Sequence, residues 1–353
     1  MLKLTCPIVK EYPIKASYCK ICKSQNLIIH QTLRREIKDS QLKEVTIFRL
    51  LCKKCKYSFR IYPQGIKDYT GRSKRLIFMG IILYTAGLSY TKIILFLEGF
   101  IGKNLESSVT VWRDIQSLGE TLRRNHFGIF KKGERVVAGV DGGYFKVKGE
   151  KMCIMFSADA KDGATILFEA KNEDNVEEIK QFVSKLQKTC NLLGMTTDDW
   201  ELYKEPLEVK RLPHQVCLAH VKKNFKKHIR ELPKTIPVRF TETVTTLIDN
   251  PTPKGLLVLE EIIKDPYLRL KNPDSTQIRE IIASLLRNWK QYTEFIHNPY
   301  LPETNNHTER AVGRSKIRYH QTRGLKSKEG LLNFIAVTQI FVEHKFQLLE
   351  DYC

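Results

Sequence analysis

Acidic residues are scarce in this chain beside basic ones: 39 Asp and Glu stand against 59 Lys and Arg, a formal charge of +20. That balance excludes an acidic scaffold and points to a polyanionic partner, because each cation set on a phosphate releases condensed counterions. Long apolar runs are also missing. The most apolar stretch, LIFMGIILYTAGL from Leu76 to Leu88, falls short of the roughly 18 to 20 residues a membrane span needs and reads as a buried helix. The opening MLKLTCPIVKEYP lacks the apolar core and small-residue cleavage site of a signal peptide. A cytoplasmic protein without a membrane partner is expected. A GxxxxGK[ST] loop is absent, so chemistry driven by P-loop nucleotide hydrolysis is not expected.

What is present begins with cysteine. Nine cysteines in a reducing compartment argue against a disulfide framework, and four of them fall into two pairs. Cys19-Lys-Ile-Cys22 and Cys52-Lys-Lys-Cys55 each present two thiolates to one ion, and two such turns close a structural Zn²⁺ site with no open position. The alternating segment between them supplies hairpin strands, giving a zinc ribbon whose loops carry Lys20, Lys23, Lys53, Lys54 and Lys56. Cys6 is left as a spare thiol.

Apolar residues then recur at helical spacing from Lys74 to Thr85, from Ser89 to Phe100 and from Ser107 to Asn125, with Gly87-Leu88-Ser89 as a tight turn ending on an N-cap serine. Three short helices of this kind fit a helix-turn-helix arrangement, although any three-helix bundle has the same periodicity. In the first reading the third helix enters DNA, and Arg113, Arg123 and Arg124 reach a groove or its phosphates.

From Glu134 the texture alternates, ERVVAGVDGGYFKVKGEKMCIMFSADAKDGATILFEA, which predicts three or four antiparallel strands. Asp141 closes the strand RVVAGVD before two glycines. An Asp-Gly pair is often only a hairpin turn, yet glycines there would also let a metal or a substrate backbone approach. A helix over NVEEIKQFVSKLQKTC and a strand NLLGMTTD ending in Asp198-Asp199 follow, so that Asp141 and Asp198 can converge on one sheet edge as a hard, all-oxygen cation site. Cys217-x-x-His220 precedes a basic helix. It reads as half of a metal site with no second half nearby, or as two core residues at a strand-to-helix junction. From Pro233 to Asn298 the pattern is helical with proline breaks and no acidic cluster. In TNNHTER, Asn306 and Glu309 have capping-box spacing. Arg310, Arg314, Lys316, Arg318 and Arg323 follow, as groups able to hold phosphate.

Taken in order, Gly139-Val140-Asp141-Gly142, Thr197-Asp198-Asp199, Cys217-x-x-His220 and Thr304-Asn305-Asn306-x-x-Glu309-Arg310 resemble the motifs of DDE transposases of the bacterial and archaeal insertion-sequence type. The Cys-x-x-His pair is similar to that of mutator-like members. The resemblance spans about residues 134 to 345. It implies an α+β fold: a ribonuclease-H-like mixed sheet flanked by helices, with a helical insertion, behind the zinc ribbon and helix-turn-helix module. The corresponding segments are 1-66 (zinc ribbon), 67-130 (helix-turn-helix), 131-232 (first part of the core), 233-300 (insertion) and 301-353 (second part of the core with basic C-terminal helices).

Position by position, the resemblance makes Asp141, Asp198 and Glu309 the catalytic acids, holding Mg²⁺ or Mn²⁺. Asp199 and Glu303 remain as close alternatives, since glycine often follows the second aspartate in the family and Asp199 stands there instead. Cys217, His220, Asn305 and Asn306 are supporting residues. The implied activity is metal-dependent cleavage of transposon ends and their transfer to target DNA by a homo-oligomer on double-stranded DNA, at the nucleoid. The competing expectations are a non-catalytic DNA-binding regulator or decayed transposase, and a structure-specific nuclease.

Overall fold

A computed structural model describes residues 7–14, 16–66, 71–102, 107–125, 134–199, 201–322 and 325–341. Cys6 and Arg323 lie outside the described residues. The chain divides into two compact units, Met1–Arg124 with Arg318–Cys353, and Asn125–Ile317.

The first unit opens with three antiparallel strands, β1 (Leu27–Glu36), β2 (Glu44–Cys52) and β3 (Ser58–Ile61), in that order across the sheet. Strand β2 buries Val45 and Ile47, which pack with Ile37 and Ile66 into a small cluster. Helices α1 (Lys74–Thr85), α2 (Tyr90–Ile101) and α3 (Ser108–Asn125) follow where the periodicity places them. Ser73 caps α1 by accepting the Leu76 N–H at 3.0 Å, and Ser89 caps α2 by accepting that of Lys92 at 3.4 Å. Gly87, at φ 106°, makes the turn between the two helices. Apolar faces meet through Ile81, Tyr84, Ile93, Leu97, Val111 and Ile115, all buried. Arg72 grips Asp114 of α3 with two hydrogen bonds of 2.5 and 2.9 Å, both partners buried. Among the described residues no helix is long and apolar enough to cross a membrane, the Leu76–Leu88 segment included.

The second unit is α+β. Its strands are β4 (Arg135–Val147), β5 (Glu150–Asp159), β6 (Thr165–Glu169), β7 (Asn191–Thr197) and β8 (His214–Val216). They form one mixed sheet in the order β6-β5-β4-β7-β8, antiparallel from β6 to β4 and parallel from β4 to β8. Helix α4 (Val176–Thr189) joins β6 to β7; Asn175 caps it by accepting the N–H groups of Glu177 and Glu178. Its Ile179, Phe182, Val183 and Leu186 pack on Val136, Ala138 and Val140 of β4. A short α5 (Lys204–Val209) leads to β8, and α6 (Leu218–Glu231) leaves it.

Strand β4 departs from expectation. It runs on through Gly142 and Gly143, which pair with Met155 and Ile154 of β5, so Asp141 lies inside the strand and not at its end. The glycines serve close approach: a Cβ on Gly142 would overlap the Glu173 carboxylate.

Helices α7 (Val238–Asp249), α8 (Gly255–Ile262), α9 (Pro273–Tyr292) and α10 (Glu294–His297) fill the segment after α6. They share a core with α6 built on Val221, Phe225, Phe240, Val244, Ile282 and Trp289. Lys222 and Lys226 of the basic α6 engage Asp249 on α7, through its carbonyl and its carboxylate. Helix α11 (Asn306–His320) crosses the sequence boundary between the units, and α12 (Lys328–Ala336) belongs to the first.

Candidate active site

Two acids stand side by side where the parallel pairing of β4 with β7 stops. The last β4–β7 pair is Val140 with Thr197, so Asp141 and Asp198 are the next residues on each. Asp141 accepts the N–H of Gly142 at 2.8 Å. Burial, then the charges of Asp198, Glu173 and Glu309, push its carboxyl up to about 7. Burial and then Glu173 raise Asp198 to about 6, with His220 opposing. Asp198 Oδ1 is buried without a hydrogen-bond partner. Glu173, in the loop before α4, was not singled out from sequence; an acid in a loop is ordinary, and only the glycine inside strand β4 hinted that something approaches there.

Asp199 is employed elsewhere. It accepts the Tyr292 hydroxyl at 3.2 Å and the Asn224 amide at 3.3 Å, and it lines a separate cleft of about 540 Å³ with Lys204, His228 and Arg287. Glu303 turns an exposed side chain outward, while its carbonyl accepts the Leu218 N–H at 2.9 Å.

Glu309 sits in the first turn of α11. The cap is one residue earlier than the capping-box spacing implies. The carbonyl of Asn305 accepts the N–H of Glu309 at 3.1 Å, the first intrahelical bond, which makes Asn306 the first helical residue. Asn305 is buried; its backbone N–H donates to Cys217 Sγ at 3.2 Å and its side-chain amide to the Val140 carbonyl at 2.8 Å. A Cβ at Gly139 would collide with Asn305 and Thr308, so glycine at that position lets the start of α11 lie on β4.

Cys217, fully buried, precedes α6 and donates its N–H to the Thr197 carbonyl at 2.7 Å. His220 Nδ1 is 3.7 Å from Glu309 Oε1. Burial pushes the Cys217 thiol up, but His220 and the N–H of Asn305 outweigh it and hold the thiol below its usual value. His220 is raised to about 9 by the Cys217 sulfur against burial, with Glu309 and Asp198 adding to the rise. Among the described residues, two sets bring metal-binding atoms all within 4.8 Å of one another: the four N-terminal cysteines, and Cys217 with His220 and Glu309. The charges of Asp198 and Glu309 both act on Asp141, but the three acids do not form such a set.

Cys19, Cys22, Cys52 and Cys55 are clustered as a metal such as zinc would hold them. Sγ of Cys19 lies 3.7 Å from that of Cys55, and Cys22 lies 3.6 Å from Cys52. Bonds of about 2.3 Å to tetrahedral zinc define an edge of about 3.8 Å. The two turns repeat one geometry. The N–H of Lys23 donates to the Cys19 carbonyl and that of Lys56 to the Cys52 carbonyl, and both lysines have positive φ, 56° and 62°. The backbone N–H of Cys55 is the main cause that brings Cys52 down to about 6.

The basic residues divide by what already holds them. Arg113 and Arg310 are exposed. Arg124 pairs with Glu120 at 2.5 Å on the α3 surface, and Arg123 is committed to Glu329 at 2.5 Å and Asn333 at 3.0 Å. Arg314 donates to the Gly163 carbonyl at 3.3 Å, and Lys316 is half-buried. Arg318 differs from the other cations of the expected phosphate-binding set. It is buried, donates to the carbonyls of Gly87 and Leu88 at 3.3 and 3.0 Å, and stacks over Tyr84. A guanidinium occupied in this way holds a turn rather than a phosphate.

Neither a family model nor a curated protein matches this chain.

Proposed function

We propose that the chain is a DDE-type DNA transposase whose second unit is a ribonuclease-H-like catalytic core. The observation that carries this reading is the placement of Asp141 and Asp198 side by side where the parallel pairing of β4 with β7 stops, with Asp141 in the field of Glu309 on a helix that follows the helical segment α7 to α10. The donors fit a hard divalent ion: all are carboxylate oxygens, one of them is buried without a partner, and their mutual repulsion is what a cation relieves. Asp141, Asp198 and Glu309 would hold Mg²⁺ or Mn²⁺, with Glu173 beside them. Bound there, the metal would supply charge stabilisation for in-line displacement at a DNA phosphate. Asn305 fixes the start of α11 on β4, and exposed Arg310, one residue past Glu309, is free to engage the strand being cut.

The first unit supports the end-recognition part of the reading. Its cysteine cluster suits a structural zinc in a zinc ribbon, and α1 to α3 with the Gly87 turn suit a helix-turn-helix with Arg113 outward. Exposed Leu95, Phe96 and Phe100 on α2 are compatible with a second copy on DNA.

The test is cleavage and strand transfer in Mg²⁺ or Mn²⁺ on duplexes carrying the inverted repeats that flank the coding region. Wild type should cleave and join; Asp141→Ala and Asp198→Ala should do neither, and Asp199→Ala should retain both. Equal behaviour of wild type and Asp141→Ala would sink the assignment. One observation favours the second reading, a DNA-binding protein without catalysis: Glu309 groups with Cys217 and His220, its Oε1 3.7 Å from His220 Nδ1, and not with the two aspartates. Sequence-specific binding with no metal-dependent cleavage on any end substrate would select it.

A further inference from the structure

We propose that Cys217, His220 and Glu309 form a binding site for a borderline transition-metal ion of the Zn²⁺ class, distinct from the four-cysteine cluster. The Cys-x-x-His pair looks like half a site in sequence because its third ligand is supplied from the far side of the helical insertion. One ligand atom from each of the three residues lies within 4.8 Å of the others. The 3.7 Å between His220 Nδ1 and Glu309 Oε1 is a few tenths above the roughly 3.4 Å edge that 2.0–2.1 Å bonds to tetrahedral zinc define.

The scaffold holds this arrangement before any ion arrives. Cys217 precedes the first turn of α6, His220 lies in that turn, and Glu309 lies in the first turn of α11. Two hydrogen bonds tie these helix starts together, Asn305 N–H to Cys217 Sγ at 3.2 Å and Leu218 N–H to the Glu303 carbonyl at 2.9 Å. The first is an outer-shell contact of the kind that orients a ligating sulfur. A thiolate, an imidazole and a carboxylate together prefer zinc or cobalt to magnesium.

Burial argues against the rival use of these residues, a cysteine nucleophile with a histidine base. Cys217 is 0% exposed, which leaves no approach for a substrate carbonyl or phosphate. His220 and Glu309 have side chains 35% and 40% exposed, enough for an ion to enter and for a fourth position to stay open.

A consequence for catalysis rests on the transposase reading. Glu309 is common to both sites, so a zinc-class ion at Cys217 and His220 draws that carboxylate away from Asp141 and Asp198. Occupancy then suppresses Mg²⁺-dependent cleavage, and the Cys-His pair acts as a metal-operated brake.

The experiment titrates metal-free full-length protein with Co²⁺ and follows the thiolate charge-transfer and ligand-field bands. Wild type should develop thiolate charge-transfer bands for two equivalents per chain. Cys217→Ser and His220→Ala should each bind one, and Glu309→Gln should weaken the second by about tenfold or more. Circular dichroism of each variant separates a lost ligand from a lost fold, and His220→Gln gives a milder change should His220→Ala unfold. A single equivalent in wild type, or a second one unchanged in folded Cys217→Ser and His220→Ala, overturns the site. A second arm adds Zn²⁺ to Mg²⁺-driven cleavage by wild type. Inhibition by the second equivalent supports the brake, and undiminished cleavage with that equivalent bound overturns it. If the second Co²⁺ binds as stated but wild type never cleaves DNA, the transposase reading fails while the metal site stands.

Discussion

Asn305 donates its side-chain amide to the carbonyl of Val140 at 2.8 Å, joining the start of α11 to β4 one residue before Asp141. This bond positions Glu309 relative to the strand acids. Asn305→Ala should leave a buried acceptor unpaired and cost about 1–3 kcal/mol of stability. Its cleavage rate should fall further than the unfolded fraction explains. Denaturant unfolding and cleavage measured on the same preparation check this; loss of activity only in step with unfolding would make Asn305 purely structural.

Glu309→Gln keeps the size and one of the two acceptor oxygens of the side chain while removing its charge. Folding and DNA binding should be largely preserved and metal-dependent cleavage should drop about 10²–10³-fold, the scale of removing one strong electrostatic group from a reacting centre. Glu173→Gln should act differently. Its charge raises both Asp141 and Asp198, so the variant should stay active with its pH–rate profile displaced to lower pH.

Asp141 stands at about 7 and Asp198 at about 6, above the ordinary 3.8. The folded chain therefore binds more protons at these groups than the unfolded one. Their contribution favours the fold fully below 3.8 and is lost as pH rises through 6 and 7. Without metal, the melting temperature of wild type should fall from pH 5 to pH 8 more than that of Asp141→Asn. Mn²⁺ should raise the wild-type value more at pH 8 than at pH 5.5, because metal and protons compete for the same oxygens. A Mn²⁺ effect independent of pH would remove these carboxylates from the metal site.

Arg310 and Arg318 lie two turns apart on α11 and should respond in opposite ways. Arg310→Ala should lower the salt dependence of DNA binding by about one phosphate's worth, a slope change near 0.9. Arg318→Ala should leave the slope unchanged and reduce stability, since its guanidinium serves the carbonyls of Gly87 and Leu88 and the ring of Tyr84. Hydrogen bonds from a charged donor are worth about 1.5–3 kcal/mol each. Binding isotherms at several salt concentrations, with thermal unfolding alongside, separate the two.

Local pattern was enough for much of this architecture. Helical spacing located α1, α2 and α3, serine marked the start of α2, and the paired Cys-x-x-Cys turns marked the cysteine cluster. What stayed hidden depends on residues far apart in the chain. Gly142-Gly143 reads as a turn until Glu173 is known to fill the space above Gly142. Asp198 and Asp199 are equivalent in sequence, yet successive side chains leave an extended chain in opposite directions, and Asn224 and Tyr292 take Asp199. Arg318 looks like one more cation in a basic run because the turn it holds is near Gly87. Nor does local spacing show that Glu309 faces His220.

Helix α3 is held by α12 of its own unit: Arg123 reaches Glu329 and Asn333, and Gln116 accepts the Asn333 amide. The two parts of this unit flank the acid-bearing segment in the chain, so the unit is completed only after that segment has been translated. A chain cut short before α12 leaves Gln116 and Arg123 of α3 without these partners.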